Sequence, residues 1–174
     1  MFNQFHEFAK YLMNTYDMEK YDYKNLLPKT PIDLNADDIS KIRLGNAYQA
    51  IKYIIYHENQ NGLGTVDLLG NKININNNTF EDHHIIAKAR TKQNKKSIFY
   101  SIANIAVLDR TVNQVDIKDK NIHQYMAEIQ NVKSNFNFIL DHNLLSHYDS
   151  SLDEQEIILK RADKISKLIN GYFS

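Results

Sequence analysis

The sequence predicts a mostly helical α+β fold, in which one strand–loop–strand–helix unit lies between N-terminal and C-terminal helices. Apolar residues recur every three or four positions towards both ends of the chain, as in amphipathic helices. In the middle, two short β-prone runs, DHHIIA and IAVLD, flank a polar stretch rich in Lys and Asn. The length of 174 residues suffices for one domain with a sizeable core, so a single domain over 1–174 is expected.

The N-terminal third, residues 1–60, is predicted to be helical. One apolar stripe spans residues 2–16 and a second spans residues 44–55, with two prolines between them. Asp37 or Asp38 is the expected N-cap of the second helix, because a carboxylate there accepts hydrogen bonds from free backbone N–H groups.

The remaining segments follow from turn residues and periodicity. Three of the five glycines fall in residues 61–80, which predicts a loop or small hairpin. Residues 81–126 contain the two predicted strands and the helix that completes the central unit. Residues 127–174 are predicted to be helical, and a capping box of Ser151 and Glu154 is expected to open the last helix.

Composition narrows the functional classes. Lys plus Arg and Asp plus Glu number 21 each, so any nucleic-acid site must be local rather than a property of the whole chain. The chain has no Cys, which excludes disulfides, thiolate zinc sites and Cys nucleophiles. The first residues do not resemble a secretory leader and no apolar run is long enough to span a bilayer. We therefore expect a soluble, cytoplasmic protein without a membrane partner.

Adjacent histidines, His83 and His84, are the first candidates for chemistry. Side chains alternate along a strand, so the two imidazoles point to opposite faces unless the strand ends there. Most histidines neither bind a metal nor catalyse a reaction, and the pair alone is a weak signal.

Two asparagines strengthen that signal. Asn104 immediately precedes the second predicted strand, and Asn113 lies in the short helix expected after it. In a ββα unit, a His at the end of the first strand and an Asn on the helix can share a divalent ion, while an amide before the second strand can hold the other His.

These residues resemble the pattern of the HNH, or ββα-metal, nucleases, in particular the C-terminal nuclease half of GmrSD-type restriction endonucleases. That pattern has an acidic residue, two histidines and apolar residues, then an Asn that heads an apolar strand, and a second Asn nine residues later. The chain has EDHHII, then NIAVL, then Asn113. The HNH domain of CRISPR effector nucleases has a similar interval between its asparagines. The resemblance covers most of residues 40–174.

The resemblance implies a role for each of these residues. His84 becomes the general base, and His83 and Asn113 become ligands of a divalent metal, Mg²⁺ or Mn²⁺. Asn104 becomes the catalytic-site residue that orients the His84 loop. The implied activity is hydrolysis of DNA phosphodiester bonds, which requires a deprotonated water and stabilisation of charge on the phosphate.

Local charge is compatible with a nucleic-acid partner. Between His84 and Lys133, nine Lys and Arg residues outnumber four Asp and Glu residues. A solvated lysine-rich loop is an equally good interpretation of the run from Lys88 to Lys96 taken alone. The candidate phosphate-binding residues are Lys88, Arg90, Lys92, Lys95, Lys96, Arg110 and Lys118.

The resemblance further implies a role in restriction or antiphage defence. Nothing like the nucleotide-dependent half of that family occurs in the sequence, so a separate NTPase or target-recognition subunit is a possible partner. Two alternatives remain open: a ribonuclease toxin with the same site, and a decayed HNH fold that binds nucleic acid or protein. Ala87, where the family usually has Pro, and Gln114, where a basic residue is common, would fit the latter, but the presence of both histidines and both asparagines argues against it.

Overall fold

The structure is a computed structural model that describes residues 33–56, 66–72, 80–87, 97–110, 117 and 120–172. The prediction of a mostly helical α+β fold is confirmed over these ranges. The elements, in chain order, are α1 (Ala36–Lys41), α2 (Asn46–Tyr56), β1 (Phe80–His84), two short 3-10 helices (Ile98–Tyr100 and Ile102–Asn104), β2 (Ile105–Asp109), α3 (Ile122–Val132), α4 (Phe136–His142) and α5 (Glu154–Tyr172).

The two strands form an antiparallel pair. The register places His84 opposite Ile105 and His83 opposite Ala106. β2 coincides with the predicted strand IAVLD, whereas β1 begins two residues earlier than DHHIIA and ends at His84. Ile85 and Ile86 lie in a bend after β1. The N–H of Ile85 still follows the strand register and donates to the carbonyl of Asn104, whereas the N–H of Ile86 donates to the Asn104 side chain.

The start of the second predicted helix needs correction. α1 is a separate short helix with Asn35 as N-cap; Asp38 is its third residue, and the two side chains each accept a hydrogen bond from the other's backbone N–H, at 3.0 and 3.1 Å. α2 begins only after Gly45, whose φ of +89° is unfavourable for other residues. Leu44, predicted to open the buried stripe, is 84% exposed because it lies in this break between the helices.

The turn within residues 61–80 is described over residues 66–72. Val66 and Lys72 form an isolated antiparallel bridge. Inside it, the buried Asp67 carboxylate accepts hydrogen bonds from the backbone N–H groups of Leu69 and Asn71, at 2.9 and 2.8 Å. Burial raises the pKa of Asp67, and these hydrogen bonds oppose the rise.

The core is built around α5. This helix packs against α1, α2 and both 3-10 helices, because its apolar stripe is continuous. All four residues predicted for that stripe are fully buried: Ile158, Ala162, Ile165 and Ile169. The helix starts differently from the prediction, since the Asp153 carboxylate, rather than Ser151, accepts a hydrogen bond from the N–H of Glu156 at 2.7 Å.

Two sets of predicted elements lie outside the described residues. They are the first helix, over residues 2–16, and the short helix near residues 111–114. None of the helices that the structure describes combines the length and the apolar character needed to cross a bilayer.

Candidate functional site

His83 and His84 are the last two residues of β1 and lie on opposite faces of the strand pair, as strand geometry requires. His83 is 3% exposed. Its imidazole packs against the ring of Tyr125 on α3, with ring centroids 6.1 Å apart and planes at 77°. His84 is half-buried, so its imidazole remains accessible from solvent.

Asn104 is fully buried and holds the chain that follows His84. Its side-chain oxygen accepts a hydrogen bond from the N–H of Ile86 at 2.8 Å, and its side-chain nitrogen donates to the carbonyl of Ile86 at 3.0 Å. The same nitrogen donates to the carbonyl of Phe99 at 2.8 Å. One amide therefore joins the bend after β1 to the 3-10 segment before β2.

Ile85 is held as firmly as Ile86. Its N–H donates to the carbonyl of Asn104 at 2.9 Å, and its carbonyl accepts from the hydroxyl of Tyr125 at 2.8 Å. Every backbone N–H and C=O of the two residues after His84 thus has a partner, which fixes the path of the chain at this end of β1.

A second polar group lies on the His84 face of the strand. Asp82 lies two residues before His84. Its carboxylate accepts a hydrogen bond from the hydroxyl of Tyr48 at 2.5 Å and forms an ion pair with Lys52 at 2.8 Å. Burial and, next, the hydrogen bond to Asp82 raise the pKa of Tyr48, so this hydroxyl remains a donor. Tyr48 and Lys52 are one turn apart on α2, and they attach that helix to β1.

Sequence analysis gave Asp82 and Lys52 no role of their own and placed Tyr48 only in the apolar stripe of residues 44–55, although the four-residue spacing of Tyr48 and Lys52 places both on one face of a helix.

Arg161 of α5 contacts the segment that precedes Asn104. Its side chain is fully buried; Nη1 donates to the carbonyl of Ala103 at 2.7 Å and Nε donates to the carbonyl of Asn143 at 2.9 Å. Burial lowers the pKa of this guanidinium, because a charge is costly away from water. Sequence reasoning missed Arg161, although it lies three residues after Ile158 and four before Ile165, on the buried stripe.

The structure describes one of the seven proposed phosphate-binding residues. Arg110 is exposed, and its Nε lies 3.6 Å from a carboxylate oxygen of Glu81. The other six, Lys88, Arg90, Lys92, Lys95, Lys96 and Lys118, lie outside the described residues.

The structure describes one of the two proposed metal ligands. His83 is described, whereas Asn113 lies outside the described residues. In the ranges that the structure covers, no group of three or more His, Asp or Glu side chains could hold an ion. The described residues therefore supply one candidate imidazole ligand, which packs against Tyr125, and they do not complete a metal site on their own.

Taken together, the described geometry provides an accessible imidazole at a strand end, a rigid bend behind it and a buried imidazole on the opposite face. An imidazole can take a proton from water near neutral pH, and a rigid support keeps it in place. Comparison of the chain with protein-family models, with curated proteins and with solved structures found no match.

Proposed function

We propose that the chain is a metal-dependent endonuclease of the HNH type, which hydrolyses DNA phosphodiester bonds as the nuclease module of a restriction or antiphage system. The observation that carries this proposal is the two-way hydrogen bonding between Asn104 and Ile86, directly behind His84. An Asn that orients the His84 loop is what the resemblance to that nuclease class implies, and generic turn asparagines do not need to meet a strand end 18 residues away.

In the proposed reaction, His84 acts as the general base. Its imidazole removes a proton from a water molecule, whose oxygen forms a bond to phosphorus as the bond to the 3′ oxygen breaks. Asn104 acts at a distance, because it holds the backbone that carries His84. A divalent ion held by His83 and Asn113 would supply charge stabilisation at the phosphate.

Substrate binding is assigned to the basic residues around the site. Arg110 directly follows β2, and its exposed guanidinium can reach solvent beyond Glu81. The run from Lys88 to Lys96 begins four residues after His84 in the sequence. Contacts of this kind bind the phosphate backbone without reading base sequence.

The burial of His83 favours a second candidate function. An imidazole that is 3% exposed and packed on Tyr125 has little free surface for an ion. A decayed HNH fold that binds nucleic acid without cutting it would retain the Asn104 support and dispense with the metal.

One experiment separates these functions. Purified full-length protein is incubated with supercoiled plasmid, modified phage DNA and RNA, each with Mg²⁺, Mn²⁺ or EDTA. Cleavage of DNA with either ion, and none in EDTA, supports the proposal. Cleavage of RNA alone would replace it with the ribonuclease. Binding in a gel-shift assay without cleavage in any metal would replace it with the binding module.

A further inference from the structure

We propose that Tyr125 is a positioning residue that aligns both histidines, with its ring against His83 and its hydroxyl on the carbonyl of Ile85. This inference rests on the proposed nuclease function for its catalytic consequence, although the contacts themselves do not.

The two contacts of Tyr125 are with the residues immediately before and after His84. Its ring meets His83 edge to face at 6.1 Å, and its hydroxyl donates to the carbonyl of Ile85 at 2.8 Å. His83 and Ile85 flank His84 in the chain. A single side chain of α3 therefore restrains the residues on both sides of the proposed base.

The hydroxyl of Tyr125 is buried, so solvent does not compete for its hydrogen bond to Ile85. Tyr125 is 1% exposed, and burial raises its pKa well above the ordinary value for a tyrosine. The hydroxyl is the donor in its hydrogen bond to the carbonyl of Ile85.

Tyr125 and Asn104 hold different backbone groups of the two residues that follow His84. Asn104 holds both backbone groups of Ile86 and, through its own carbonyl, the N–H of Ile85. The carbonyl of Ile85 is left to Tyr125. Without the hydroxyl, the peptide unit between Ile85 and Ile86 loses one of its restraints, and the strand end that carries His84 can turn about it.

Tyr56 offers a matched control. It is also a buried tyrosine, 3% exposed, and its hydroxyl accepts a hydrogen bond from the N–H of Val107 on β2 at 3.2 Å. Tyr56→Phe removes a hydroxyl from the same strand pair but does not touch the residues around His84. A general loss of stability would affect both variants.

The test compares full-length wild type, Tyr125→Phe and Tyr56→Phe. Steady-state DNA cleavage, measured against pH, gives kcat and KM, and thermal unfolding reports stability. The imidazole signals of His83 and His84 in carbon–proton NMR spectra, assigned with His→Gln variants, report alignment without any need for activity.

We expect Tyr125→Phe to lower kcat by roughly 10²-fold, the cost typical of a small misplacement, with little change in KM. The signals of both histidines should shift, whereas those of Tyr56→Phe should match wild type. Unchanged His84 signal and kcat in Tyr125→Phe, or an equal loss in Tyr56→Phe, would overturn the proposal. If wild type cleaves nothing, the nuclease function fails, and the NMR signals still decide whether Tyr125 aligns the histidines.

Should Tyr125→Phe fail to fold, 3-fluorotyrosine at position 125 takes its place, since it keeps the ring and makes the hydroxyl a stronger donor. A shifted His84 signal is then expected, and an unchanged one counts against the proposal.

Discussion

The side chain of Asn104 pairs with the backbone of Ile86 in both directions, accepting from its N–H at 2.8 Å and donating to its carbonyl at 3.0 Å. The pair holds the chain just after the point where β1 ends. It makes the bend after His84 a defined part of the structure, and several measurable consequences follow from it and from the residues around it.

Replacing Asn104 by Ala should lower both stability and turnover. The change leaves buried backbone groups of Ile86 and Phe99 without their partner, at a cost of about 1–3 kcal/mol for an unsatisfied group. Denaturant unfolding and cleavage kinetics measure the two effects.

Asn170 provides the control for Asn104. Its side chain forms the same two-way pair with the backbone of Leu34, both distances being 2.8 Å, near the C-terminal end of α5. Asn170→Ala should lower the unfolding free energy and leave cleavage per folded molecule unchanged. Equal activity losses in both variants would contradict a specific role for Asn104.

His84→Ala should abolish most cleavage while the fold is retained. A lost general base costs roughly 10²–10⁴-fold in turnover. The imidazole is half-buried, so its removal leaves no large internal cavity. His142→Ala is the control, because the imidazole of His142 contacts Phe138 of its own helix, bonding to its carbonyl at 2.9 Å and stacking on its ring with centroids 3.7 Å apart. Near wild-type cleavage by His84→Ala would disprove the assignment.

Arg161→Lys should destabilise the protein despite preserving the charge. An ammonium cannot reproduce the fork in which Nη1 reaches Ala103 and Nε reaches Asn143, and a lost hydrogen bond to a charged group costs about 1.5–3 kcal/mol. Chemical denaturation measures the effect. Lys160→Arg, at an exposed neighbouring position of α5, should be close to neutral. A wild-type stability for Arg161→Lys would show that the fork is dispensable.

His147 should make stability depend on acid pH. Burial lowers its pKa from 6.5, and its Nε2 donates to the carbonyl of Ile157 at 2.9 Å while the buried Nδ1 has no partner among the described residues. The unfolded chain therefore binds a proton more readily than the folded one. The stabilisation is present above pH 6.5 and is lost as the pH falls through the lower, folded value.

Denaturant titrations of wild type and His147→Gln, repeated from neutral to acid pH, test whether His147 lowers the stability on acidification. The free energy of unfolding of the variant should fall less on acidification than that of wild type. Parallel curves would show that other groups cause the decline.

Gly70→Ala and Gly171→Ala should act in opposite directions. Gly70 has a φ of +79°, and a Cβ there would lie 2.6 Å from Cδ1 of Ile139, so we expect a loss of about 1–2 kcal/mol from the backbone alone. Gly171 lies in α5 with nothing within 4 Å of a Cβ, so we expect a gain of about 0.5–1 kcal/mol. Melting temperatures decide both, and a stable Gly70→Ala would contradict the close contact with Ile139.

The sequence alone determined the extent of β2 and the buried face of α5, because each follows from a pattern within one segment. β2 begins and ends where the run IAVLD predicts, and the stripe of Ile158, Ala162, Ile165 and Ile169 is buried as predicted, because alternation and the 3.6-residue repeat act within one element. The positions of His83, His84 and Asn104 around one strand end were also predictable, since the turn residues and the two strands lie close together in sequence.

Only the tertiary structure decided which distant side chains support that strand end. Tyr125 meets Ile85 across 40 residues and Arg161 meets Ala103 across 58. Neither pairing has a sequence signature, because both depend on how α3 and α5 settle against the strands. The break at Gly45 and the exposure of Leu44 were decided in the same way: the packing of a separate α1 against α5 outweighs the helical periodicity that joins the two segments in the sequence.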